Sequence, residues 1–375
     1  MRISKADSLK WFEFFSEISA EGEELTVKQH EIALAVLSQI EAATEALHLE
    51  QLSKIKGLKS LKGRTYYIGD DARFPKGCVS CLMGSGLSAI RKTNRCNAAC
   101  PFCYDYGVLD QIPPIGEGMW EIGGTRFREE DIELLLSIQK KPSGVAYVYL
   151  EPFMEIEKYY GIISKLNKAG IYQHLYTNGI SATEEQLKEL GKAGLNEIRF
   201  NLGASICSDT VLKHLAIAKK YIPHVGIETP MTEGFLGVFM KKRKEILETG
   251  VDFINFAELH LNPNNIGNYA SENLYMYRLG YVSPISSRLL TLKVMEQAAN
   301  ENWNVVIHDC CNRTKFARDL NLKAAEGGWF GASAYGSEFD TIPFEAFLPV
   351  LEDENFRFIE EEELPTGYRI GDLTL

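Results

Sequence analysis

Cys96, Cys100 and Cys103 fall within eight residues, in the run RCNAACPFCYDYG, at the spacing C-x3-C-x2-C. Thiols this close cannot pair among themselves without strain, and Pro101 keeps the segment from being a regular helix or strand. Thiolate is the usual ligand of iron–sulfur clusters. Three thiolates on one short loop can wrap three corners of a cubane [4Fe–4S] cluster. The fourth iron is then open to a small molecule, which makes the cluster reactive rather than only structural. A structural zinc ion would need four ligands, most often as C-x2-4-C pairs, and this loop does not supply them.

With the aromatic Phe102 directly before the third cysteine, the run resembles the signature of the radical S-adenosylmethionine (SAM) superfamily. The resemblance implies that Cys96, Cys100 and Cys103 hold the cluster and that SAM chelates the open iron through its amino and carboxylate groups. An electron from the cluster would cleave the sulfonium, giving methionine and a 5′-deoxyadenosyl radical that abstracts hydrogen from a substrate. A reducing partner such as flavodoxin or ferredoxin is implied as well. Members of the family often carry Gly-Gly-Glu-Pro at the end of the second strand, near the amino group of SAM. Here Tyr149-Leu150-Glu151-Pro152 keeps Glu-Pro and lacks both glycines. Glu151 could meet an ammonium, or cap the loop before a helix. Asn178 follows the third expected strand. Arg199 and Asn201 share one face of the fourth, where relatives contact the ribose or carboxylate of SAM. A guanidinium suits a carboxylate and an amide suits hydroxyls; the alternative is polar side chains satisfied inside a barrel. Glu228 on the fifth strand is a candidate of the same kind.

Four further cysteines stand in two pairs, Cys78-x2-Cys81 upstream and Cys310-Cys311 far downstream. C-x2-C is a two-ligand chelate, and joined to Cys310 or Cys311 it would make a second metal centre, an iron–sulfur cluster or zinc. The competing reading is ordinary buried thiols. Glu258 and His260 lie two apart at the end of the sixth strand, and His308 ends the seventh. All three are expected at the barrel mouth, for substrate binding or proton transfer. Cys207, after the fourth strand, could return a hydrogen atom to a substrate radical or simply fill space.

These residues need a scaffold that brings strand ends together. LSAIRKT, VAYVYL (145–150), YQHLYT (172–177), EIRFNL (197–202), HVGIETPM (224–231), DFINFAEL (252–259) and WNVVIHD (303–309) alternate with helical stretches. This βα alternation predicts an α/β fold, a partial (β/α) barrel of about six or seven parallel strands. Barrel sites gather at the carboxyl ends of the strands, where the cysteine loop falls. An open doubly wound sheet is the rival, but the Gly-rich dinucleotide fingerprint is absent after the first strand. The expected organisation is a helical N-terminal region (1–70), the barrel (71–320) and a C-terminal extension (321–375). WFEFFSEI and HEIALAVLSQIEAATEAL read as helices, FPKGCVSCLMGSG as a break, and the Asn/Tyr-rich stretch 260–287 as a long insertion.

Composition narrows the function classes. The 375 residues are 45% hydrophobic and 24% charged, ordinary for a globular protein. A net charge of −11 repels phosphate backbones and disfavours a nucleic-acid partner. The basic run KKRK at 241–244 reads as a solvated helix face. No apolar run approaches the roughly 18–20 residues of a membrane span. The N-terminus lacks a signal peptide's apolar core, and eight cysteines with three in a cluster motif suit a reducing compartment, so a cytoplasmic location is expected. The expectation for function is a radical SAM enzyme of unknown substrate. Two alternatives are an activase that installs a glycyl radical on a partner protein, and a non-catalytic iron–sulfur scaffold or electron carrier.

Overall fold

A computed structural model describes residues 27–82, 87–122, 125–132, 144–269, 271–278 and 281–324. The expected helix at WFEFFSEI, the acidic run at 360–363 and the extension beyond residue 324 lie outside the described residues. In chain order the elements begin with α1 (Val27–Ser53), β1 (Lys59–Ser60), β2 (Tyr66–Ile68), α2 (Lys76–Leu82) and β3 (Leu87–Arg91). The hairpin β4 (Met119–Ile122) and β5 (Thr125–Arg128) follows, then β6 (Gly144–Tyr147) and α3 (Tyr160–Lys168). Next come β7 (Tyr172–Thr177), α4 (Glu184–Ala193), β8 (Glu197–Phe200), the short α5 (Leu202–Ser205) and α6 (Asp209–Ala218). The last are β9 (His224–Met231), α7 (Glu233–Glu248), β10 (Phe253–Glu258), β11 (Leu274–Tyr277), β12 (Tyr281–Pro284), α8 (Ile285–Glu301), β13 (Val306–Cys310) and α9 (Asn312–Ala324).

Local chemistry sets the helix limits. Thr183 and Gln186 form a reciprocal capping box at the start of α4, and Gly194 ends it with φ 94°. Ser208 and Thr232 cap α6 and α7 by accepting from backbone N–H groups of the first turn.

Eleven strands form one sheet in the order β1-β2-β13-β10-β9-β8-β7-β6-β3-β4-β5. The run from β13 to β3 is seven parallel strands, and the antiparallel pairs β13–β2 and β3–β4 finish its two ends. The strand order is linear, so the barrel is partial, as the βα alternation predicts. β6 and β8 are buried at every position, as parallel strands covered on both faces must be. Alternation divides the two faces. Ile198 and Phe200 of β8 join the apolar layer beneath the outer helices, while Glu197 and Arg199 face α2.

Two segments differ from the sequence reading. FPKGCVSC contains a helix, α2, because Pro75 is tolerated just ahead of the first turn and its carbonyl accepts from Cys78 N–H at 3.0 Å. α2 packs on β3, β6, β7 and α9. The stretch 260–287 holds the β11–β12 hairpin, whose tyrosines Tyr275, Tyr277 and Tyr281 cluster with Ile40 of α1 and with Ile285 and Leu289 of α8. Among the described residues no helix is long and apolar enough to cross a membrane.

Candidate functional site

β3 delivers the chain into the cysteine loop, and the loop is held from three sides. On the first, the Glu151 N–H donates to the Arg95 carbonyl at 3.0 Å, tying the end of β6 to the residue before Cys96. On the second, the Asn178 amide after β7 donates to Asn97 Oδ1 at 2.6 Å, and Asn97 donates to Ser181 Oγ at 2.7 Å. On the third, side-chain amides from the segment after β10 grip the loop's carbonyls. Asn262 and Asn264 donate to the Tyr104 carbonyl at 2.8 and 3.0 Å, Asn265 to Phe102 at 3.3 Å, and Asn268 to Pro101 at 2.8 Å. Phe102 packs at Gly203, where a Cβ would stand 3.1 Å from its ring and 2.6 Å from Thr229 Oγ1.

The three thiols are half-buried and close enough to feel one another's charge. Burial, then the charges of Cys103, Cys96 and Glu151, push the Cys100 thiol up to about 12. Burial pushes Cys103 up to about 11 against the N–H of Asp105. Burial also raises Cys96, opposed by the N–H groups of Ala98 and Asn97 and by the Asn178 amide. Three bare thiolates would repel in such a place, and a cationic multi-iron centre removes that repulsion. The residues therefore fit a cluster. Among the described residues no three His, Cys, Asp or Glu side chains converge at the spacing of one ion. That spacing is about 3.8 Å between sulfurs for tetrahedral zinc, and a cubane separates its thiolates more widely.

Glu151 is 1% exposed, and its carboxylate is already engaged. It accepts from Phe153 N–H at 3.0 Å, Thr177 Oγ1 at 2.7 Å and Asn178 N–H at 2.6 Å, and it caps a short 3-10 turn. The two residues before it, Tyr149 and Leu150, adopt left-handed φ of 73° and 52°. These are the positions where the family pattern has glycines, so the chain keeps the glycine conformation with side chains that resist it. A cavity of about 390 Å³ opens here, lined in part by Arg91, Asp105, Gln111, Tyr149, Leu150 and Asn264.

Arg199 lies deeper, under α2. It bonds Glu197 through Nε at 2.6 Å, Glu228 through Nη1 at 2.5 Å and the Tyr176 hydroxyl at 3.1 Å. Burial pushes the Glu197 carboxyl up, but Arg199 and then His224 outweigh it and hold it well below the usual range. α2 can approach this network because residue 77 is glycine. A Cβ there would stand 2.5 Å from Arg199 Nη2 and 2.7 Å from His174 Nδ1. Asn201 sits above, with its N–H on the Thr177 carbonyl and its side chain capping α5.

The remaining expected residues spread over three places. Cys78 contacts His308 Nδ1 at 3.5 Å and Asn255 at 3.9 Å inside the sheet. Cys310 feels the charges of both Glu228 and Cys81, and Cys78 that of Cys310, so α2 and β13 do bring these thiols near each other. Cys311 turns away and contacts Thr314 at 3.4 Å. His308 is buried among these groups, with Nε2 2.8 Å from Thr65 Oγ1. Glu258 faces outward from the sheet, where it accepts from the Tyr275 hydroxyl and, at 2.6 Å, from Asn312 N–H. The strand ends at Glu258, and His260 stacks on Tyr104 of the cysteine loop at 5.8 Å. Both ring nitrogens of His260 are buried without a hydrogen-bond partner. Cys207, at φ 51°, lies in the apolar layer with Leu202 and Val211. The asparagines at 262, 264, 265 and 268 were not singled out from sequence; the only signal was their density in one stretch.

Comparison with known proteins gives three kinds of match. Residues 90–225 match the model of the radical SAM superfamily. A protein of Methanocaldococcus jannaschii, provisionally named a glycyl-radical enzyme activating enzyme, is 27% identical over 205 residues, 52% of this chain and 52% of that protein. The chain thus spans about half the length of the curated relative it matches. Streptococcus suis SuiB bound to S-adenosylmethionine is 13% identical, with a TM-score of 0.44 over 60% of this chain and 50% of that one. The enzyme anSMEcpe with bound AdoMet is 17% identical, with a TM-score of 0.41 over 59% and 62%. The family match runs from the end of β3 to the start of β9 and takes in the whole cysteine loop, so this stretch of the chain is similar to the radical SAM superfamily.

Proposed function

We propose that the chain is an enzyme that holds a [4Fe–4S] cluster on Cys96, Cys100 and Cys103 and uses it to cleave SAM reductively for hydrogen abstraction from a substrate. The observation that carries this reading is one loop with three charge-coupled thiols inside the matched region. When bound, the cluster supplies the electron that breaks the sulfonium of SAM. The chain's own residues do the holding. Asn178, the asparagines after β10 and the Glu151 backbone fix the loop; Glu151, Thr177 and Asn178 form a rigid shelf at the ends of β6 and β7. The cavity beside Tyr149 and Leu150 is the space we assign to the methionine end of SAM. Arg199 and Glu228 act from below as a neutralised floor, and Asn201 shapes the rim.

Activation of a partner protein by hydrogen abstraction from its backbone is a second reading, supported by the name of the Methanocaldococcus relative. A reductant of the flavodoxin or ferredoxin kind is required by either reading. Cys78, Cys81 and Cys310 remain candidates for a second centre. Soft thiolates suit an iron–sulfur cluster and zinc alike, and the metal content of the protein decides between them.

The test is anaerobic reconstitution. The protein should take up about four irons at the loop and release 5′-deoxyadenosine from SAM under reduction. The Cys96/Cys100/Cys103 triple alanine variant should lose both; undiminished 5′-deoxyadenosine would sink the proposal. Iron and sulfide left in that variant would mark the second centre, and a metal-free, folded variant would make Cys78, Cys81 and Cys310 ordinary thiols.

A further inference from the structure

The grip on the cysteine loop does more than anchor it. A trans peptide is planar, so its C=O and N–H point in opposite directions. The peptide joining Tyr104 to Asp105 is held at both ends. Its carbonyl accepts from Asn262 Nδ2 at 2.8 Å and Asn264 Nδ2 at 3.0 Å. Its N–H, that of Asp105, points the opposite way, and as a backbone donor it favours the Cys103 thiolate against the effect of burial. The clamp is itself pre-set. Asn262 is 4% exposed, and its Oδ1 accepts from the N–H groups of Asn264 at 3.1 Å and Asn265 at 3.2 Å. Two backbone donors at Oδ1 leave the amide only one orientation, with its N–H toward Tyr104.

We propose that Asn262 and Asn264 are positioning residues that aim and polarise the Tyr104–Asp105 peptide, so that its N–H stabilises the reduced cluster at Cys103 and raises its reduction potential. This rests on the cluster assignment made above. Two donors on one carbonyl strengthen the N–H at the other end of the same peptide. Hydrogen bonds to ligating sulfur favour the more negatively charged, reduced state. The potential decides how readily a biological reductant can load the electron, so the clamp acts on the step that precedes SAM cleavage.

A redox titration of the reconstituted full chain, followed by electron paramagnetic resonance, tests this. Asn264→Ala removes one donor. Asn262→Asp keeps the acceptor for the Asn264 and Asn265 N–H groups and removes the other donor. Asn268→Ala is the control, since Asn268 grips a different peptide of the same loop, at Pro101. Asn264→Ala and Asn262→Asp should retain iron and shift the midpoint negative, so that several-fold less cluster is reduced at the wild-type midpoint. Asn268→Ala should titrate like wild type. Equal shifts in all three variants would assign the effect to general loosening of the loop and overturn the inference, as would no shift in Asn264→Ala. A wild-type protein that takes up no iron would instead overturn the cluster assignment itself.

Discussion

Glu151→Gln gives the sharpest reading of the shelf beneath the cysteine loop. In the fold, burial pushes the Glu151 carboxyl up to about 7, outweighing the Asn178 N–H, the Thr177 hydroxyl and the Phe153 N–H, which favour the anion. Its ordinary value is 4.5. At about 1.36 kcal/mol per pH unit, the difference is worth about 3 kcal/mol. The native state holds the proton more tightly, so this stability is fully present below pH 4.5 and is lost as pH rises through 7. Buried His174, His260 and His308 run the other way. Burial, with Arg199 or Lys315 nearby, holds each down to about 3, so their contribution is present above the ordinary 6.5 and lost as pH falls. The wild-type profile is a sum of these, but the wild-type minus Glu151→Gln difference isolates the carboxyl. Glutamine also leaves at least one backbone donor facing an NH2, a pH-independent offset of about 1–3 kcal/mol. Urea unfolding of both proteins should show their stability gap shrinking by about 2.5 kcal/mol from about pH 5 to about pH 8. A gap that stays constant would refute the burial argument and mean that Glu151 is ionised throughout, held by its three donors.

Gly77→Ala should cost about 3 kcal/mol or more, because the new Cβ meets an arginine and a histidine locked in a buried network; a thermal unfolding midpoint within a degree or two of wild type would show that α2 can back away. Tyr149→Gly and Leu150→Gly should each stabilise by up to about 1 kcal/mol, the relief of a left-handed φ less the entropy glycine adds to the unfolded chain. Lower midpoints in both would mean that side-chain packing at these positions outweighs the strain.

The strands were legible because a parallel sheet buried on both faces writes itself as short apolar runs. YQHLYT and HVGIETPM coincide with β7 and β9, and DFINFAEL brackets β10. The cysteine loop was legible because thiol spacing has few other uses. The polar residues were not separable by sequence. Arg199 and Glu228 sit on inward-facing positions, as alternation requires, but an inward polar side chain reads the same whether it meets a ligand or another side chain. In the fold Arg199 meets Glu197 and Glu228 beneath α2, and neither Glu197 nor α2 was visible as a partner. Glu258 and His260 were expected side by side on one face. The strand ends at Glu258, alternation stops there, and the two diverge. The asparagine clamp was hidden for a different reason: its targets are backbone carbonyls, which leave no trace in residue type.

The pairing of β2 with β13 has a consequence for how the chain assembles. Thr65 and His308 touch across 243 residues of sequence, and Cys78 and His308 across 230. A nascent chain therefore makes β2 early and its partner β13 among the last strands. Loop-closure entropy puts that junction among the late events of folding. Until it forms, β2 and β10 each present an unpaired edge. A product cut short before residue 306 would keep the cysteine loop and most of the sheet, yet expose a ready template for edge-to-edge association.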